Sequence, residues 1–283
     1  MTALPHWQVA LFGMCVACVI AVQFIFALTL NQQILLIAPL VAILGLPHGA
    51  LDLPIAQALW PLDTRSAKLQ FFAIYIGLVC VVIVLWVLFP GPALIAFLGY
   101  SILHFSDDWA AATPPLRWTG GFATIGGVSL FHTTEVALIF SYLAPDAFAL
   151  TAAKTLAILG AVSLVTFITA LILRPANRTQ AALEQVLIWV AAFALPPLLF
   201  FIVYFCSLHS VRHFTQTLQS VPNTGQALVI SAVLSCAVVA IAGMVWLLLP
   251  QTSVKLSLQI VFIGLAALTV PHMLLVDRLH RQV

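Results

Sequence analysis

His209 and His213 stand four residues apart in Cys206-Ser207-Leu208-His209-Ser210-Val211-Arg212-His213. On a helix that spacing puts both imidazoles on one face, with Cβ atoms about 5–6 Å apart. A single helix can give two nitrogens to one metal ion in this way. The flanking residues are apolar. Ionisable groups in such a setting are costly unless bonded, and they mark functional sites. Six of the eight histidines share it: His48, His104, His132, His209, His213 and His272. Neutral imidazole is the commonest protein ligand for transition metals. These residues therefore point to a metal centre inside a membrane.

His48 stands in Gly45-Leu46-Pro47-His48-Gly49-Ala50-Leu51-Asp52, where proline and glycine should distort the helix around it. His104 stands in Tyr100-Ser101-Ile102-Leu103-His104-Phe105-Ser106-Asp107-Asp108. Both lie about 11–15 residues along their apolar runs, near mid-membrane at about 1.5 Å per residue. Equal depth is what a shared ion requires. Carboxylates follow about one turn later in His48–Asp52, His104–Asp107 or Asp108, His132–Glu135 and, more loosely, His272–Asp277. A ligating histidine gives its other N–H to a carboxylate or carbonyl, which fixes its tautomer. Asp52, Asp107 and Glu135 are thus expected to orient rings. His132 and His272 are candidates for further ligation. His132 could equally serve a substrate pocket or helix packing, and His272 follows Pro271 near a span end.

All-imidazole sites suit iron, zinc, copper or nickel. A centre at mid-membrane depth takes an apolar substrate arriving through lipid. Zinc hydrolysis there would need water brought in, whereas O2 is itself a small apolar gas. That favours a non-haem Fe(2+) oxygenase. Four imidazoles around an octahedral iron leave two positions open, as catalytic metals require.

The elements that hold these residues follow from composition. The chain has 283 residues, 63% hydrophobic and 6% charged, against about 25% charged in a soluble domain. The lipid bilayer is its main solvent. A net charge of +2, with no run of Lys and Arg, excludes nucleic acid as a partner. Nine apolar stretches approach the length of a span: 9–30, 34–55, 69–89, 93–112, 118–142, 150–173, 183–214, 227–249 and 256–276. Short connectors carry the turn residues. The expected fold is all-α: a polytopic membrane bundle of about eight to ten transmembrane helices. It forms a single membrane-embedded catalytic domain, residues 1–283, in the plasma membrane. The seventh stretch is too long for one crossing, and Pro196-Pro197 should break it. The first stretch lacks the marks of a cleaved signal peptide and is read as retained. All five cysteines lie in apolar runs, and Cys15-x-x-Cys18 lacks the polar setting of a redox or zinc motif.

Pro47-His48-Gly49-Ala50-Leu51-Asp52, His104-Phe105-Ser106-Asp107, Ser207-Leu208-His209-Ser210-Val211-Arg212-His213 and Pro271-His272-Met273, in this order, resemble the Brp/Blh family. These are bacterioopsin-related, membrane-embedded β-carotene 15,15′-dioxygenases. The resemblance runs from about the second span to the C-terminus. It implies cleavage of the central double bond of β-carotene with O2, giving two all-trans-retinal, at Fe(II) held by histidines. The catalytic ligands it implies are His48, His104, His209 and His213, the set that depth and spacing also favour. It implies a functional link to a retinal-binding rhodopsin. The family often reads His-Phe-Gly where this chain has His104-Phe105-Ser106. A polyene slot would be lined by aromatic residues within about a turn of the histidines. The candidates are Phe97, Tyr100, Phe105, Trp109, Phe131, Tyr204 and Phe205. Asp52 and Asp107 would orient the ligating rings.

Two other classes share some of these features. A di-iron membrane hydroxylase or desaturase uses the same chemistry on apolar substrates, but with more histidines in several tight clusters. A proton- or metal-coupled transporter would use buried His–Asp pairs and inverted repeats. Pro-His-x3-Asp at 47–52 and Pro-His-x4-Asp at 271–277 give a faint internal symmetry of that kind. A retinal-binding opsin needs a lysine deep in a helix, whereas Lys68, Lys154 and Lys255 all lie at span ends.

Overall fold

The computed structural model describes residues 6–249 and 253–282. Every element in them is helical. This is the expected response to lipid, where backbone N–H and C=O groups must pair within the segment. The helices are α1 (His6–Phe26), α2 (Leu30–Leu59), α3 (Arg65–Leu88), α4 (Pro90–Ser106), α5 (Pro114–Phe131) and α6 (Thr133–Ser141). They continue as α7 (Asp146–Leu173), α8 (Gln180–Ala194), α9 (Pro197–Ser220), α10 (Thr224–Leu248) and α11 (Ser253–Gln282).

Among the described residues, seven helices are long and apolar enough to cross a membrane, or eight if α5 and α6 form one broken span. The protein is a polytopic helical membrane protein. Three of the nine stretches depart from simple crossings. Stretch 93–112 overlaps the shorter α4, 17 residues long, which is followed by a 3₁₀ turn at Asp107–Trp109. Stretch 118–142 bends by 103° at His132, which leaves helical geometry at φ −129°. Stretch 183–214 divides where expected: Leu195 is extended and Pro197 sits in the first turn of α9.

The chain divides into two compact units. The first holds the described residues up to Ile37 together with Leu94–His209. In it α7 packs along α5 and α6, while α1 packs along α8 and the first half of α9. Gly126 and Gly160 let α5 and α7 touch backbone to backbone: a Cβ on Gly126 would lie 2.8 Å from the Leu156 carbonyl oxygen. Small residues at a crossing are how membrane helices gain contact without a hydrophobic driving force.

The second unit holds Ala38–Ala93 and the described residues from Ser210 onward. There α11 packs along α3, and Leu46–Gly49 is held by α10 and the second half of α9. Ile55, Ala56, Leu275 and Val276 form a buried cluster against Trp60, Phe71 and Tyr75.

Burial separates lipid-facing helices from interior ones. Only 6% of the apolar window of α3 is buried, against 78% for α9. The helix carrying His209 and His213 is therefore an interior one. Cys15, Cys18, Cys80, Cys206 and Cys236 are free, and Cys206 alone of the five is buried.

Candidate metal centre

Each unit gathers its own buried histidines. In the first unit, His104 on α4 and His209 on α9 are 4% and 0% exposed. Their rings meet edge-on with centroids 4.8 Å apart, and a ring nitrogen of each lies within 4.8 Å of the other. The Phe105 ring packs against His209 at 4.8 Å and Phe205 stacks on it at 5.6 Å. His209 closes a π-helical turn, Phe205–His209. Such turns insert one extra residue and often accompany functional sites.

Asp108 fixes the His209 ring. Its side chain is fully buried, and both carboxylate oxygens lie 3.2 Å from His209 Nδ1. The Tyr204 hydroxyl donates to the same carboxylate at 2.6 Å. With Nδ1–H given to a carboxylate, the imidazole presents Nε2 as its lone-pair nitrogen. Tyr204 thus acts through Asp108, and Trp109 donates its indole N–H to buried Glu184 at 3.0 Å. Their polar groups are committed to these carboxylates, so the structure gives both a bonding role that the aromatic-lining expectation did not include. Phe97 and Tyr100 pair with each other on α4 at 5.6 Å.

In the second unit, His48, His213 and His272 are buried and mutually packed. Ring centroids are 6.2 Å apart for His48–His213, 5.5 Å for His48–His272 and 6.3 Å for His213–His272. His48 follows a second π-helical turn, Val41–Gly45, and its Nδ1 bonds the Gly45 carbonyl. Ser231 on α10 donates to the Pro47 carbonyl at 2.8 Å, anchoring this distorted segment. His272 Nδ1 meets Asp52 Oδ1 at 2.6 Å, and the Tyr75 hydroxyl donates to Asp52 Oδ2 at 2.7 Å. The distortion expected around Pro47 and Gly49 is present.

The carboxylate assignments need correcting. Asp52 serves His272 rather than His48, because a turn at Ala50–Leu51 interrupts the helix and removes the i,i+4 alignment. Asp107 does not orient His104; Arg117 takes it in a 2.6 Å ion pair. The 3₁₀ turn after Ser106 rotates successive side chains apart. It leaves Asp107 part-exposed and turns Asp108 inward. His132 lies at the α5–α6 break. Its Nε2 meets the Phe193 carbonyl at 3.2 Å and its Nδ1 approaches Glu135 at 3.7 Å. Phe131 packs on Phe193 at the same break. No histidine ring contacts His132 among the described residues. Tyr75 was missed at the sequence level: it is a lone phenol in an apolar run, and nothing local links it to Asp52.

Both units thus present buried imidazoles, several with Nδ1 committed to an anion or carbonyl. That donor chemistry fits a first-row transition-metal ion. The family model for β-carotene 15,15′-dioxygenase matches residues 39–280. The chain belongs to the β-carotene 15,15′-dioxygenase family. It is an enzyme of the carotenoid dioxygenase class, which leaves the transporter and hydroxylase readings without support. Over 259 residues, 86% of this chain and 92% of the relative, it is 35% identical to a β-carotene 15,15′-dioxygenase of uncultured marine bacterium 66A03. Over 296 positions, 86% of this chain and 84% of the relative, it is 25% identical to the probable β-carotene 15,15′-dioxygenase Blh of Halobacterium salinarum. No solved structure matches the chain.

Proposed function

We propose that this dioxygenase cleaves β-carotene at its central 15,15′ double bond with O2, giving two all-trans-retinal, as one catalytic domain of a plasma-membrane protein. The bookkeeping closes without a reductant. The central C=C and the O–O bond break, two C=O bonds form, and each aldehyde keeps one oxygen atom. His48, His104, His209 and His213 would hold one Fe(2+) ion, which when bound supplies the redox chemistry that O2 needs to react with a closed-shell polyene. The observation that carries this reading is the buried pair His104 and His209 in the first unit, their ring centroids 4.8 Å apart.

The chain's own residues then act by position. Asp108 and the Gly45 carbonyl hold His209 and His48 in the tautomer that presents Nε2. Burial keeps water out, so the apolar substrates need no desolvation before they meet. Phe105 and Phe205 flank His209 and offer flat surfaces on which a polyene can rest. Selecting one double bond among many similar ones is a positioning task. The retinal product suits a retinal-binding rhodopsin as its consumer.

The test is expression in a carotene-accumulating bacterium. Loss of orange colour with retinal in the extract supports the reading. A His104→Ala protein, present at normal level, should leave the cells orange. A fully active His104→Ala enzyme refutes the ligand set.

A further inference from the structure

Of the chain's eight acidic side chains, three are buried among the described residues: Asp52, Asp108 and Glu184. Asp52 and Asp108 each hold a histidine ring. Glu184, on α8 and 0% exposed, accepts the indole N–H of Trp109 at 3.0 Å. An ionisable group kept from water inside a lipid-embedded chain is expensive and marks function. We propose that Glu184 is a positioning residue of the metal centre. It acts through Trp109 to hold the turn that aims Asp108 at His209; this rests on the reading of His209 as an iron ligand. All four residues belong to the first unit.

Two observations carry it. First, each residue of the 3₁₀ turn Asp107–Trp109 is tied to a different helix. Asp107 pairs with Arg117 of α5 at 2.6 Å, Asp108 meets His209 and Tyr204 of α9, and Trp109 bonds Glu184 of α8. Hydrogen bonds within a 3₁₀ turn are poorer than in an α-helix, so bonds from outside decide its shape. Successive side chains there point about 120° apart. A rotation that frees Trp109 therefore also turns Asp108 away from His209 Nδ1. Second, the seat of Trp109 is rigid. Gly120 of α5 faces the indole, where a Cβ would lie 2.6 Å from Trp109 Cδ2. The neighbours of Gly120 and Glu184 tie α5 to α8. Thr119 Oγ1 lies 2.8 Å from Gln185 Oε1, and Gln185 Nε2 donates to the Leu116 carbonyl at 2.6 Å. Ser163 of α7 donates to the Thr119 carbonyl at 3.0 Å. These buried bonds fix the spacing between the Gly120 notch and the Glu184 carboxylate. The notch sets the plane of the indole, and the carboxylate sets where its N–H points.

The test separates orientation from stability. Nitrogen-15 NMR of metal-free, histidine-labelled protein in detergent reports which ring nitrogen carries the proton, with His209 assigned by the signals lost in His209→Gln. In the wild type the proton is on Nδ1. Trp109→Phe keeps a ring in the Gly120 notch and removes the donor; Glu184→Leu removes the acceptor. Both should move part of His209 to the Nε2–H form and weaken Fe(2+) binding about tenfold in competition with a chelator. Glu184→Gln keeps an acceptor oxygen and should return both readouts to near wild type. Gly126→Val, which loosens the same unit at the α5–α7 crossing, should lower the thermal midpoint and leave the His209 signals in place. An unmoved His209 signal in Trp109→Phe, or an equal displacement in Gly126→Val, overturns the proposal. So does a Glu184→Gln protein as displaced as Glu184→Leu. Should Glu184→Leu fail to fold, Trp109→Phe decides alone. A wild-type protein that binds no iron removes the ligand reading instead, a failure that the metal-free spectra distinguish from a failure of the positioning.

Discussion

Asp108 reaches across 101 residues of sequence to bond His209, placing both carboxylate oxygens 3.2 Å from Nδ1. The carboxylate is fully buried and has Tyr204 as a second donor. A buried anion in lipid is tolerated only when paired, so this aspartate is held in place by the ring it orients. Asp108→Asn keeps the shape but removes the charge, and it can present an N–H to Nδ1. The wrong nitrogen of His209 then carries the proton. Iron affinity should fall about 10–100-fold, read as iron retained after dialysis against a chelator. Retained iron at wild-type level would show that Asp108 does not orient the ring.

Removing Tyr204's hydroxyl is a milder form of the same test. Tyr204→Phe leaves Asp108 with the His209 bond and loses one charge-assisted hydrogen bond, about 1.5–3 kcal/mol. The melting midpoint in detergent should drop, with a smaller loss of iron than in Asp108→Asn. An unchanged midpoint would mean that the 2.6 Å contact contributes nothing to stability.

His132 supplies the contrast. It bonds the Phe193 carbonyl at the α5–α6 break and touches no other histidine ring among the described residues. His132→Ala should keep both iron content and retinal production within about twofold of wild type, since no ligand or orienting bond is lost. Loss of iron in this variant would add His132 to the centre.

The crossing of α5 and α7 should be intolerant of bulk. Gly126→Val places a branched side chain where Cβ alone would be 2.8 Å from the Leu156 oxygen and 2.9 Å from the Gly160 nitrogen. Both obstacles are backbone, so the helices must separate. Overpacking of this kind costs about 1–3 kcal/mol or more. It should appear as a lower thermal midpoint or reduced yield, while Gly243→Val, where nothing lies within 4 Å of a Cβ, should be silent.

The sequence by itself determined the solvent, the helices and the chemically active residue type. With 63% hydrophobic and 6% charged residues there is no surface for water, and lipid leaves the backbone little but the helix. The break at Pro196-Pro197 was legible because proline lacks a donor whatever surrounds it. The i,i+4 spacing of His209 and His213 was legible because both lie on one continuous helix. Tertiary structure decided which carboxylate serves which ring. Reading along the chain assigned Asp52 to His48 and Asp107 to His104, since periodicity sees only neighbours on an ideal helix. The turn at Ala50–Leu51 and the 3₁₀ turn at Asp107–Trp109 break that periodicity just where it was relied upon. Asp52 then finds His272 across 220 residues, and Asp108 finds His209 across 101. Such pairings come from the packing of one helix on another, which local spacing does not encode.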